Sequence, residues 1–388
     1  MTAKRIYFDN AASTQTDSRV LEAMRPFFLY NYGNASSLHT DGAIARDAME
    51  ESRRQIAGYI KASPRELFFT SGGTESNNWA LKGIAFANRA KGNHIIVSSI
   101  EHECVLNTCR WLKNQGFKVT YLPVGDEGIV DPERLKKSIL PETILISVMH
   151  ANNEIGTVQP ISRIGSLARD RGILFHTDGC QSFGKIPVDV QAQNIDLLTI
   201  NAHKIYGPKG IGALFIRKGV VIEPLLHGGG QEQGLRSTTE NIPDIVGFAK
   251  AAELCMAEME VEGERLLSLR CKLIENLNRL IKGIYYNGSL EHRLPGYVNF
   301  GISGLEGESI RLLLLLDEDG ISVSTGSACS SNNGDSSSSH VLQAIGRNPF
   351  ESRGAIRITM GRFNNVDEVD QFCRKISTIS SELNSIFS

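Results

Sequence analysis

Between residues 94 and 217, short runs of apolar and β-branched residues alternate with longer stretches in which apolar positions recur every three or four residues. The runs HIIVSS (94–99), KVTYLPV (118–124), TILISVM (143–149), GILFHTD (172–178), DLLTIN (196–201) and GALFIR (212–217) read as strands. Uninterrupted Ile, Leu and Val suit strands covered on both faces, whereas a half-exposed strand alternates apolar with polar. Helical patterns lie between several of them: CVLNTCRWLKNQG, DPERLKKSIL and PISRIGSLARDRG. Strand and helix in alternation predict a mostly parallel α/β sheet with helical cover.

The texture changes after about residue 240. From 242 to 281 apolar residues keep helical spacing almost without a break, which predicts one long helix, or two, leaving the sheet. A smaller α+β region follows, with strand patterns GYVNFGI and AIRITMG and helical patterns at GESIRLLLLL and VDEVDQFCRKISTISSELNSIF. The expected division is a large domain over 15–255 and a small domain from 1–14 and 256–388. No internal repeat is present, and the serine run 336–339 reads as a mobile loop.

Composition narrows the class. With 388 residues, 41% hydrophobic and 22% charged, the chain is long enough for two domains, and collagen, coiled coil and wholesale disorder are excluded. A formal net charge of −2 gives no broad attraction for nucleic acid or anionic lipid, so neither a direct nucleic-acid partner nor a membrane is expected. No stretch approaches the about 18 apolar residues of a membrane span, and the N-terminus lacks a signal-peptide core; a cytoplasmic protein is expected. Seven scattered cysteines, at 104, 109, 180, 255, 271, 329 and 373, form no CxxC pair. They read as reduced thiols, with neither a disulfide framework nor a metal site.

Ligands of open α/β sheets bind beyond the carboxyl ends of the strands, so the polar residues there are the candidates. FFTSGGTES (68–76) passes from an apolar run through a Ser-Gly-Gly-Thr turn into a helical pattern. It reads equally as an ordinary capped helix or as a phosphate cup, in which glycines allow close approach and the helix end supplies free N–H groups. Asp178, ending ILFHTDGCQS, is either a turn former or a carboxylate facing a cationic ligand nitrogen. His203 and Lys204 end LLTINAHK, where the lysine is either solvated or a Schiff-base amine. Glu101 and His102 end IIVSSIEH, where the ring either caps a helix or lies on a planar cofactor. Together these are the protein half of a pyridoxal phosphate site. Nucleotide sites fail on detail: GxxxxGK[ST] is absent, and GPKGIG has its glycines in the wrong order for GxGxxG.

Ten stretches, YFDNAAST, YGNASSLH, FTSGGTES, EHECVL, MHANNEIGTVQP, HTDGCQSFGK, AHKIYGPKGIGAL, HGGGQEQGLRS, STGSACSS and GAIRITMGRF, occur in one order over nearly the whole chain. In them the chain resembles the cysteine desulfurases of the NifS and IscS type, in the class V aminotransferase group. The resemblance implies the type I fold of pyridoxal phosphate enzymes, with a mostly parallel seven-stranded sheet in the large domain. It implies Lys204 as the lysine joined to pyridoxal 5′-phosphate, Asp178 on the pyridine nitrogen, and Gln181 and Asn153 near the ring oxygen. It further implies His102 as the stacking ring and Gly73, Thr74, Asn201 and His203 at the phosphate. Thr239 corresponds to a phosphate contact given to the neighbouring subunit, which implies a homodimer. Arg357 corresponds to the clamp on the substrate carboxylate, and Asn153 also lies towards substrate. Asn201, Gln233 and Thr238 replace a usual Ser or Thr, Arg and Gly, and the segment after Cys329 is longer than in many relatives.

The activity this implies is removal of sulfur from L-cysteine. Lys204 takes the Cα proton, Cys329 receives the sulfur as a persulfide, and L-alanine leaves. The sulfur then passes to an acceptor or scaffold protein for iron–sulfur assembly or other thiolation. Cys329 stands among serine, glycine and asparagine, which suits a thiol that travels, and His102 is a candidate acceptor for its proton. Selenocysteine lyase and an inactive scaffold homologue stay open as alternatives, the second opposed by intact Lys204 and Asp178.

Overall fold

The computed structural model describes residues 5–325 and 338–387. The first half of the chain forms β1 (Ile6–Tyr7), α1 (Ser18–Leu29), α2 (Thr40–Tyr59), β2 (Leu67–Thr70), α3 (Gly73–Ala87), β3 (His94–Ser98), α4 (Glu103–Asn114), β4 (Lys118–Leu122), α5 (Pro132–Ser138), β5 (Thr143–Ser147), α6 (Ile161–Asp170) and β6 (Leu174–Asp178). The second forms β7 (Leu197–Asn201), β8 (Gly212–Ile216), α7 (Ile242–Leu280), β9 (Ile284–Tyr286), β10 (Tyr297–Ile302), α8 (Ser309–Glu318), β11 (Ile321–Ser322), β12 (Ser324–Thr325), α9 (His340–Ala344), α10 (Pro349–Arg353), β13 (Ile356–Thr359) and α11 (Val366–Phe387).

The large sheet has seven strands in the order β2-β8-β7-β6-β5-β3-β4, as expected. Pairs from β7 through β4 are parallel, while β8 runs antiparallel to both its neighbours. Period-2 alternation sorts the side chains between two cores. Phe69, Ile96, Ile146, Phe175, Leu198 and Phe215 pack beneath α1, α2, α6 and the start of α7. Phe68, Ile95, Val97, Leu145, Leu197 and Leu214 pack beneath α3 and α4. All six strands expected between 94 and 217 form, trimmed by a residue or two. No helix is assigned before residue 68 by pattern, whereas α1 and α2 occupy much of 18–59.

The 242–281 pattern is one helix, of 39 residues and about 58 Å. Its first part, to Cys255, lies in the core under the large sheet. Leu269, Leu273 and Leu277 lie in a separate core with β10, β13, α8, α11 and the N-terminal Ile6 and Phe8. Arg362 ties the two regions together, pairing with Asp17, the N-cap of α1, at 2.6 Å and with Glu258 on α7 at 2.7 Å. Among the described residues no helix is long and apolar enough to cross a membrane.

A second tie fixes the segment carrying Thr239. Arg53 on α2 donates both Nη groups to Glu232, at 2.7 and 2.8 Å, and one also to the Leu67 carbonyl at 2.7 Å. Glu232 in turn accepts the Phe69 N–H at 2.8 Å, and the guanidinium lies 4.7 Å over the Phe69 ring. The pair is buried, with 7% and 2% of its side chains exposed, whereas Arg54 and Glu51 pair in the open at 58% and 53%. Removing one member of the buried pair leaves an uncompensated charge. Glu232→Gln is expected to lower unfolding free energy by about 3–5 kcal/mol, against less than about 1 kcal/mol for Glu51→Gln; urea melts check the contrast.

Candidate active site

The chain runs from β3 outward to β4, then returns to place β5 on the other side of β3. That reversal opens a crevice at the carboxyl ends of the parallel strands. The segments following β3, β5 and β7 carry His102, Asn153 and Lys204, and β6 ends in Asp178 with Gln181 just beyond it.

Asp178 is the last residue of β6 and is buried. Its Oδ1 accepts the Cys180 N–H at 2.9 Å and its Oδ2 accepts the Asn77 amide at 2.7 Å. Both donors are neutral, so a buried carboxylate stands here with its charge unmatched by them, a setting that favours a cationic ligand nitrogen.

Lys204 follows β7 in a turn stapled to the N-terminal segment. The Thr14 N–H and hydroxyl both donate to the His203 carbonyl at 2.9 Å, and the Thr14 hydroxyl accepts the Tyr206 N–H at 2.7 Å. The staple matters because Tyr206 holds a φ of 66°, costly for a bulky residue. Burial, then the charges of Lys204, Lys209 and Lys185, push the His203 ring down to about 4. His102 is also pushed down, first by burial and then by Lys204, while Asp178 opposes the shift. Lys204 and Asp178 are therefore both within electrostatic reach of His102.

Gly73 opens α3, and its N-cap Gly72 supplies no side-chain bond, so the first-turn N–H groups have no cap. A Cβ at Gly73 would stand 2.7 Å from Cys180 Sγ and 3.4 Å from Asn201 Nδ2, so glycine lets α3 begin close against the ends of β6 and β7 without displacing the Cys180 side chain. Asn201, last in β7, leaves its buried Oδ1 without a partner. Thr74 is exposed beside this turn. The bare helix start and the buried Asp178 carboxylate fit a phosphate-bearing, cationic-ring cofactor such as pyridoxal 5′-phosphate.

Arg357, on β13, is buried and reaches in from the small sheet. Its Nη2 donates to Asp9 at 2.7 Å and its Nη1 to the Asn153 carbonyl at 3.0 Å, leaving Nε unpartnered. Gln181 donates to the Ala11 carbonyl at 3.0 Å and accepts from the Tyr297 hydroxyl. Lys185 donates to that hydroxyl at 3.0 Å, and burial pulls its ammonium down to about 8. Thr239 sits elsewhere, exposed in a cavity with Thr70, Ser71 and Gly210. Arg236 nearby pairs with Glu75 of α3 at 2.7 Å.

Cys329 lies outside the described residues. The chain re-enters at Ser339, whose hydroxyl donates to buried Glu154 at 2.5 Å, and at His340, whose Nε2 lies 2.9 Å from the Glu101 carbonyl. Asn77, Glu154 and Tyr297 were not singled out from sequence. Asn77 carried a signal, because two asparagines in a helix interior run against propensity.

The model of the Aminotransferase class-V family matches residues 6–372. The chain is 50% identical over 383 residues to a cysteine desulfurase IscS from Methanosarcina thermophila, spanning 99% of this chain and 94% of that protein. A solved NifS-like protein superposes with a TM-score of 0.90 at 41% identity, over 97% of this chain and 99% of that one. A structure described as SspA in complex with cysteine gives 0.82 at 39% identity, over 93% of this chain and all of that one.

Glu101 supplies a pH test of the site's buried wall. Burial raises its carboxyl from 4.5 to about 8, although Ser98 at 2.5 Å and the Met149 N–H at 2.7 Å both donate to Oε1. The folded protein thus keeps a proton that the unfolded chain releases. Its contribution to stability is full below pH 4.5 and is lost as pH rises towards about 8. Glu101→Gln is expected to flatten that decline, read from urea midpoints across the same window.

Proposed function

The chain belongs to the class V aminotransferases and, within them, to the cysteine desulfurases of the IscS and NifS type, and from that premise we infer that it removes sulfur from L-cysteine with pyridoxal 5′-phosphate, releasing L-alanine and leaving a persulfide on Cys329. The observation that carries the reading is the gathering of His102, Asp178 and Lys204 at the carboxyl ends of β3, β6 and β7.

In this reading Asp178 faces the ring nitrogen, His102 stacks on the ring, and Gln181 and Asn153 lie by the ring oxygen. Gly73, Thr74, Asn201 and His203 hold the phosphate with the open end of α3. Bound pyridoxal phosphate supplies an aldehyde that the Lys204 amine engages and a protonated ring that withdraws electrons from the substrate carbon. Lys204 takes the Cα proton, with the neighbouring His203 ring kept neutral by burial. Arg357 holds the substrate carboxylate, a role that the planar guanidinium fork suits. The Cys329 thiolate attacks the substrate sulfur: an S–S bond forms, the Cβ–S bond breaks, and its electron pair stays with Cβ, which takes a proton, while the proton held by Lys204 returns to Cα to complete alanine.

The protein acts as a homodimer. Thr239 stands exposed beside Ser71 and Thr70, suited to serve a second copy's phosphate. Phe28, Tyr30, Tyr32 and Leu38 are 59%, 73%, 77% and 98% exposed, an apolar run costly to leave in water. The persulfide goes to a sulfur-acceptor or iron–sulfur scaffold protein in the cytoplasm.

Cys329→Ser is expected to keep the cofactor's absorbance but retain no sulfur from labelled cysteine; label still bound to the variant would overturn the persulfide assignment. Lys204→Ala is expected to slow alanine release by about 10²–10⁴-fold, measured in single turnover. Sedimentation of Tyr32→Glu/Leu38→Glu is expected to show dimer association weakened by at least about tenfold. Unchanged sedimentation would move the interface elsewhere.

A further inference from the structure

His102 is the N-cap of α4, and its Nδ1 accepts the backbone N–H of Cys104 at 3.2 Å. The Cys104 Sγ lies 3.1 Å from the same nitrogen. On its other side Sγ lies 3.2 Å from Asn77 Nδ2, which also donates to Asp178 Oδ2 at 2.7 Å. Four side chains on three elements thus form one polar chain from the end of β6 to the ring at the start of α4.

The direction of each bond follows from chemistry. An ionised carboxylate only accepts, so the nitrogen of the Asn77 amide must face Asp178. The second hydrogen of that NH₂ group points at Cys104 Sγ, which leaves the thiol hydrogen for His102 Nδ1. The Thr74 hydroxyl also approaches Sγ, yet the backbone N–H of Cys104 makes Nδ1 an acceptor whatever the thiol does. A nitrogen that accepts two donors holds no proton, and the neutral ring then carries its hydrogen on Nε2.

We propose that Cys104 and Asn77 are positioning residues that lock His102 as the neutral Nε2–H tautomer, so that the ring donates a hydrogen bond into the site and does not withdraw the proton of the Cys329 thiol. This rests on the desulfurase reading only for what the donated hydrogen bond serves. It reverses the role expected for His102 from sequence. The surroundings agree: burial and the charges of Lys204 and His340 oppose an imidazolium, while Asp178 and Glu103 favour one and are outweighed. Burial, with Asp178, pushes the Cys104 thiol up to about 12, so it keeps its hydrogen for Nδ1.

The test is ¹⁵N NMR of histidine-labelled protein, in the cofactor-free chain and the holoenzyme, with His102 assigned by its loss in His102→Gln. The expected result is an unprotonated shift at Nδ1 and a protonated one at Nε2 in both forms. Cys104→Ala is expected to raise the proton affinity of the ring about tenfold, the effect of losing one hydrogen bond to the neutral form. Cys104→Ser, which can still donate to Nδ1, is expected to restore it. A proton on Nδ1, an imidazolium near neutral pH, or an Ala variant titrating with the parent would each overturn the proposal. Should Cys104→Ala fail to fold by circular dichroism, the parent spectrum alone decides the tautomer. The spectra do not depend on turnover: a wrong tautomer in an active desulfurase sinks only this proposal, and a correct one in a chain without desulfurase activity leaves it standing.

Discussion

A carboxylate at the mouth of a parallel sheet, bonded only by neutral N–H groups, is the constraint around which the rest of this structure is arranged. Asp178 cannot move away from its charge, because β6 is pinned between β5 and β7. Its two donors come from its own turn and from α3, so the start of α3 must lie close. Glycine at 73 fits that closeness without moving Cys180, and the helix end carries no side-chain cap and stays open to an anion. An unmatched negative charge and an open positive helix end, a short distance apart, form a pair that one molecule with a cationic ring and a phosphate satisfies together.

The sheet was legible because its strands are buried on both faces and so written as unbroken Ile, Leu and Val. Strand ends then marked Asp178, Lys204 and His102 as candidates without any knowledge of pairing. Other parts depend on partners far away in the chain. Helix α2 buries Arg53, which no local pattern explains, because its carboxylate is Glu232, 179 residues on. Helix α1 contains Pro26, which obscures its period. Strands β1, β11 and β12 are two residues long and exist through their pairing with distant segments.

The same limit applies within the site. Arg357 was placed by resemblance, but that Asp9 holds its guanidinium follows only when β13 meets the N-terminal segment. Tyr297 reaches Gln181 across 116 positions. Cys104 looked like one of several scattered thiols. Its place between Asn77 and His102 follows from the packing of α3 against α4, which sequence spacing does not encode.

Helix α7 has a mechanical consequence. One unbroken rod is embedded at one end in the core beneath the large sheet and at the other in the small core, and Arg362 braces its middle against α1. Swinging one region against the other would bend the rod and strip a brace, so the spacing between the β13 arginine and the β7 lysine is set in the fold. In the proposed reaction the arginine and the lysine would act as the fixed jaws of a gauge. An amino acid would be measured by whether its carboxylate and its α-carbon fit between them, before any chemistry at its side chain begins.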